Sequence, residues 1–140
     1  MTQAPPQAPP RPTPEPPAIA RPYFEGAKQG KLMVQRNPKT GKYLFYSHYF
    51  DPDDPETELE WVEASGQGKI YTYTVVRQHP HPFFAERVPY IYAVVELEEG
   101  VRLISNVLTD DVESIECEMP VVVEFEAIDD EIAIPVFRPA

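Results

Sequence analysis

Five segments rich in β-branched and aromatic residues, two of them clearly alternating and each bounded by a turn signal, predict a mainly β chain: a small five-stranded barrel behind a short helix and a hairpin. Three observations carry this expectation. β-branched and aromatic residues crowd residues 68–137; glycines and paired acids punctuate them at short intervals; and no helical periodicity runs longer than two turns.

Residues 1–22 read as an extended, disordered tail. They hold nine of the 18 prolines, and Met1 and Ile19 are their only sizeable apolar side chains, too little to offset the entropy of ordering the stretch. Pro9, Arg11, Pro12 and Pro14 suit a proline-recognition domain, with a plain solvated arm as the simpler reading. Residues 23–29 then predict a short helix closed by Gly30, with Glu25 near its positive end and Lys28 near its negative end. Residues 32–36 read as a strand, 37–41 as a turn and 43–49 as a second, aromatic strand, so 23–57 forms a helix and a hairpin ending in the Asp- and Pro-rich loop 51–55.

From residue 58 to 140 the pattern is β throughout. Strands are expected at 68–76, 90–97, 101–108, 121–128 and 132–137, with Gly66 and Gly68 suited to a bulge or bend and Glu98-Glu99-Gly100 to a hairpin turn. A long, glycine-preceded first strand favours the five-stranded oligonucleotide/oligosaccharide-binding (OB) barrel.

Composition excludes several function classes. Of the formal charge of −11, the tail carries Arg11 and Arg21 against Glu15, so the body holds −12. Such a field repels phosphate backbones and anionic membrane surfaces. A single cysteine rules out an internal disulfide framework and fits a cytoplasmic protein, and no apolar run approaches the ~18 residues of a membrane span.

No catalytic constellation emerges. His79-Pro80-His81 lacks convergent partners for a metal site, and Cys117 sits among Glu113, Glu116 and Glu118, which disfavour a thiolate. Gly66-Gln67-Gly68 begins a dinucleotide fingerprint, but Tyr71 occupies the third glycine position and a strand follows where a helix is required. The acid pairs Glu98/Glu99, Asp110/Asp111 and Asp129/Asp130 flank turns, where solvated carboxylates are ordinary. What stands out is aromatic surface: Tyr23, Phe24, Tyr43, Phe45, Tyr46, Tyr49 and Phe50 precede the barrel, and a helix and hairpin of this size cannot hide them. They either seal one end of the barrel or bind a partner.

The order of the segments resembles the acyl-CoA-associated OB-fold family, domain of unknown function 35. The likeness rests on Phe24-Glu25-Gly26, Gly30-Lys31-Leu32 and Gln35-Arg36; on Trp61-Val62-Glu63, Ser65-Gly66 and Gly68; on Tyr90, Ala93 to Arg102; and on Met119-Pro120-Val121 and Ile134 to Pro139. It implies an N-terminal helix, a rubredoxin-like zinc ribbon and a C-terminal OB barrel. The family's two Cys-x-x-Cys pairs fall here on Asn37 and Thr40, and on Asp51 and Asp54, which supply no thiolate or imidazole. Zinc is therefore expected to be absent, with Tyr43, Phe45, Tyr46, Tyr49 and Phe50 holding the ribbon instead and Asp51/Asp54 a solvated turn or, less simply, a hard-cation site.

The resemblance further implies a non-catalytic accessory subunit of a thiolase-like (lipid-transfer-type) or hydratase-like enzyme acting on acyl-CoA, in sterol side-chain or related metabolism, within a hetero-oligomer. Two other classes compete: a stand-alone acyl-CoA-binding module using the body cations Lys28, Lys31, Arg36, Lys39, Lys42, Lys69, Arg77, Arg87, Arg102 and Arg138, several of them in the ribbon segment, and a single-strand nucleic-acid binder stacking bases on Tyr71, Tyr73 and Tyr92.

Overall fold

The computed structural model describes residues 10–140. A helical turn at Ala18–Ala20 leads into helix α1, Arg21–Lys28. Pro22 in its first turn forgoes a backbone donor that would be orphaned anyway, and Gly30, in the left-handed region at φ 76°, ends it. The helix packs so tightly on the following strand that a Cβ on Gly26 would collide with Met33 Cγ.

Strands β1 (Met33–Arg36), β2 (Tyr43–Leu44) and β3 (Glu60–Glu63) form a three-stranded antiparallel sheet in the order β2-β1-β3, with Gln35 opposite both Leu44 and Trp61. Two expectations change here. The aromatic strand expected over 43–49 stops at Leu44, because Tyr46 turns left-handed (φ 46°) and the side chain of Gln35 takes up the next backbone groups. β3, inside the 58–140 segment, pairs with β1 and completes the ribbon rather than the barrel.

The barrel comprises β4 (Gln67–Val76), β5 (Tyr90–Leu97), β6 (Arg102–Val107), β7 (Pro120–Ala127) and β8 (Ala133–Pro139), closed in the order β4-β5-β6-β8-β7. All five strands fall within two residues of the expected segments. Ile91, Ala93, Val95 and Leu97 all point inward, joining Ile70, Leu103, Val121 and Phe137 in the core. Gly66 is left-handed (φ 75°), and the bulge lies further along β4, between Ile70 and Thr72. The β4–β5 connection carries a helix too short to leave a period, α2 (Pro82–Ala85), whose first turn is capped by His81 Nδ1 accepting from the Phe83 amide at 3.1 Å.

The tail is anchored where it is described; residues 1–9 of the expected arm lie outside the described residues. Arg11 donates to Glu126 Oε1 at 2.8 Å, lies 5.4 Å over the Phe83 ring, and has a side chain only 14% exposed. One charge-assisted bond and one cation–π contact do what the segment's apolar content could not. Residues 18–22 belong to the helical turn and α1 rather than to an arm. Among the described residues no helix is long and apolar enough to cross a membrane.

Candidate functional site

One feature with the shape of a binding site is a groove of about 350 Å³ where the segment before α1, α1 itself, the ribbon and the barrel meet. Its aromatic wall is built from two distant stretches of chain. Tyr23 stands edge-on to Phe24 (ring centroids 5.1 Å) and to Phe45 (5.6 Å), and Phe45 tilts against Tyr46 at 4.9 Å. Leu44, Trp61, Ile19 and Ile104 complete the apolar lining. Burial raises the Tyr23 hydroxyl's pKa well above the ordinary phenol range, with the neighbouring Tyr46 phenol adding to it. The ring therefore stays neutral at any physiological pH.

Buried Gln35 of β1 sets the groove's outer lip. Its amide nitrogen donates to the His48 carbonyl at 2.8 Å, and its amide oxygen accepts from the His48 N–H at 2.6 Å. This two-bond clamp fixes a loop that has no strand partner of its own. At the tip the Tyr46 hydroxyl accepts from the Ile104 N–H at 3.2 Å, joining the ribbon to the edge of barrel strand β6. Tyr46 is thus held in an uncommon backbone conformation with its ring half exposed.

The seven aromatic candidates divide three ways. Tyr23, Phe24, Phe45 and Tyr46 converge on the groove. Tyr43 turns to the other side, where Arg36 lies 5.7 Å over its ring and its body packs on the core. Tyr49, 85% exposed, and Phe50 stand in solvent and do not line the groove. Sequence reasoning missed Trp61, Ile104 and Ile19. The first two carry ordinary strand patterns, and the third was assigned to the tail; only the tertiary contact makes them a site.

The four positions at which a zinc ribbon would carry cysteines are also drawn together, though not as a metal centre. Asn37, fully buried, donates its amide nitrogen to Asp51 Oδ2 at 3.1 Å and Asp54 Oδ2 at 3.2 Å, while its amide oxygen accepts from the Lys39 and Thr40 N–H groups. Lys42 Nζ reaches Asp51 Oδ1 at 3.2 Å and Asp53 Oδ2 at 2.7 Å, and the Thr57 hydroxyl donates to Asp54. Asp51, 1% exposed, is therefore no solvated turn. The Asp53 amide above all, then Asn37, hold its carboxyl below the usual range; Thr57 and then Asn37 do the same for Asp54. Lys42 is shifted upward, chiefly by Asp53 and then Asp51. These residues do not fit zinc: the set has no thiolate or imidazole, and an ammonium group and an amide N–H already occupy the carboxylate oxygens. The ribbon is tied by this polar network together with Tyr43, Phe45 and Tyr46, whereas Tyr49 and Phe50, expected to share that role, are exposed.

The remaining candidates are structural. His79 Nδ1 accepts from the His81 N–H, the His79 ring lies tilted against Phe84 and the His81 ring edge-on to it, and among the described residues no group of three His, Cys, Asp or Glu side chains is placed to hold a metal. Cys117 is exposed and free. Glu99 accepts from the Ser65 amide and hydroxyl, and Asp111 and Asp129 accept from turn amides. The Tyr73 hydroxyl donates to the Ile115 carbonyl at 2.8 Å, and Tyr71 lies under the Arg102 guanidinium at 3.7 Å, so two of the three proposed base-stacking rings are already engaged.

Comparison with known proteins gives this arrangement a context. Residues 61–126 match the family model described as the ChsH2 C-terminal OB-fold domain. A probable enoyl-CoA hydratase alpha subunit of Thermomonospora curvata is 39% identical over 118 residues, 84% of this chain and 36% of that protein. A DUF35 domain-containing scaffold protein of Methanocaldococcus jannaschii is 38% identical over 73 residues, 52% of this chain and 51% of that one. The chain thus spans about a third and about half of the lengths of these two relatives. Among solved structures, a chain of the "Ltp2-ChsH2(DUF35) aldolase" superposes with a TM-score of 0.82 at 36% identity, covering 91% of this chain and 98% of that one. With 36% identity to a DUF35 chain that it covers almost completely, and the OB-fold model matched within its barrel, the chain belongs to the DUF35 OB-fold family.

Proposed function

We propose that this chain is a non-catalytic accessory subunit of an enzyme acting on acyl-CoA thioesters, seated through its aromatic groove on a thiolase-like (lipid-transfer-type) or hydratase-like catalytic subunit. One observation carries the proposal: Tyr23, Phe24, Phe45 and Tyr46 are fixed in an open groove by edge-on ring contacts, the Gln35 clamp and the Ile104 bond. Rigid, half-exposed aromatic rings are the usual anchors of protein interfaces, since little side-chain entropy remains to be lost on docking. Exposed Tyr49 and Phe50 extend the contact. Support also comes from the names of the relatives, which include a scaffold protein, a hydratase subunit and an aldolase assembly.

On this reading the partner supplies the nucleophile and the acid–base groups. The present chain contributes surface, needs no zinc, and works in the cytoplasm within a hetero-oligomer on sterol side-chain or related acyl-CoA substrates. The test is co-purification with the thiolase-like or hydratase-like protein encoded beside it. A stable complex that the double substitution Phe45→Ala/Tyr46→Ala dissolves is the expected result. An enzyme equally soluble and active without this chain, or thioester turnover by this chain alone, contradicts the proposal.

A further inference from the structure

A second cavity, of about 620 Å³, shares no lining residue with the aromatic groove. It is bounded by the β4–β5 connection, the start of β5 and the end of β6, with Glu126 of β7 and Arg138 of β8. Buried Ile91 and Val107 line it, as do Phe84, Tyr90 and Tyr92. The volume is that of a small-molecule site, and the lining is mixed, apolar and aromatic residues sharing it with as many polar and charged ones.

Its charge runs against that of the molecule. Acids outnumber bases 23 to 12 in the chain, yet the lining holds three cations, Arg11, Arg87 and Arg138, against two acids, Asp110 and Glu126. All three cations are arginine, the side chain whose planar fork matches a carboxylate or phosphate.

Arg11 and Arg87 share a single carboxylate oxygen, Glu126 Oε1, at 2.8 and 2.9 Å, each through one nitrogen. Arg138 already forms a two-bond pair with Glu124 through Nε and Nη2, and its Nη1 has no hydrogen-bond partner among the described residues. The side chains of Arg87 and Arg138 are 44% and 53% exposed, open to an incoming anion. Arg11 brings the described start of the chain to this site: with Arg87 it lies against the Phe83 ring, at 5.4 and 4.8 Å.

We propose that this cavity binds an organic anion, its carboxylate or phosphate head at Arg87 and Arg138 and its flat or apolar body against Phe84, Tyr90 and Tyr92. The site is separate from the partner groove and stands or falls independently of it. The test titrates the full chain with naphthyl phosphate and with naphthoate, followed by calorimetry and by amide chemical shifts. Naphthol and inorganic phosphate serve as body-only and head-only controls.

At least one of the two anions is expected to bind with a Kd below about 1 mM, shifting amides in 84–92 and 106–110, with both controls weaker by about tenfold or more. The tighter of the two anions identifies the head group. Arg138→Gln and Arg87→Gln are each expected to weaken binding about tenfold. Because Arg87 also supports Phe83 and Glu126, Arg138→Gln, which leaves both untouched, keeps the test decisive if Arg87→Gln folds poorly. Absence of binding by both anions, naphthol binding as tightly as they do, affinity unchanged in Arg138→Gln, or shifts confined to the Tyr23–Phe45 groove each overturn the proposal.

Discussion

The barrel and the ribbon are held together by different physics. Barrel strands meet over Ile70, Ile91, Val95, Leu103, Val121 and Phe137, all essentially inaccessible to water. The buried polar residues of the described chain, Gln35, Asn37 and Asp51, all lie in the ribbon. An apolar core of this kind is non-directional and tolerates repacking. A buried polar network depends on each partner being present, because a lone buried donor or acceptor costs more than a satisfied one contributes. The barrel is thus a general support, and the ribbon is a specific device that presents Phe45 and Tyr46 at one place.

The largest effect should come from the barrel. Phe137→Ala removes a fully buried ring and is expected to cost about 3–5 kcal/mol, read as a lower urea midpoint for the whole chain. A local effect limited to β8 breaks the picture of one shared core. Next is Asn37→Leu, similar in size but without donors for Asp51 and Asp54 or an acceptor for Lys39 and Thr40. A loss of about 2–3 kcal/mol is expected, with hydrogen exchange quickening across the ribbon sheet first. If β5 and β6 amides quicken equally, the two regions form one cooperative unit and the comparison fails.

Acid provides a gentler version of the same test. The folded pKa values of Asp51 and Asp54 lie below the ordinary value of 3.8, so their stabilising contribution is present above pH 3.8 and disappears as pH falls through the depressed values. Lys42, shifted above 10.5, contributes below that pH and loses its contribution as pH rises through its folded pKa. The Asn37 and Asp53 amides should therefore lose exchange protection at both extremes, earlier than those of Ile91 and Val95. Smallest of all is the effect of metal removal: a chelator such as EDTA should leave the melting temperature unchanged, and one tightly bound zinc per chain contradicts the reading of the Asn37 network.

The two regions also differ in how far their sequences disclose them. The barrel strands were legible because β-branched and aromatic residues crowd segments bounded by turn signals, and most clearly where a two-residue period meets the core, as in Ile91, Ala93, Val95 and Leu97. The ribbon was legible only in outline. A strand was expected over 43–49 because aromatic residues favour strands, but Gln35 clamps His48 and Tyr46 turns left-handed, and no local pattern encodes a side chain 13 residues away. The likeness to a zinc ribbon located Asn37, Asp51 and Asp54, yet not the way Asn37 and Lys42 satisfy the two carboxylates. In the groove the aromatic residues were visible as an excess of apolar surface, whereas Trp61 and Ile104 entered only through strand pairing and barrel closure. Arg11 was hidden for the same reason: its partners, Phe83 and Glu126, lie far along the chain.

The most direct test of the central claim, that this chain serves a catalytic subunit through its aromatic groove, is the affinity for that subunit measured by sedimentation with the wild-type chain and with Tyr46→Ala. Tyr46 is half exposed and its loop remains clamped by Gln35, so losing its bond to the Ile104 N–H and its contact with Phe45 should lower the melting temperature only slightly. The account predicts a complex whose Kd rises by about tenfold or more on losing that ring. Equal affinity of the two chains for the thiolase-like or hydratase-like subunit contradicts it.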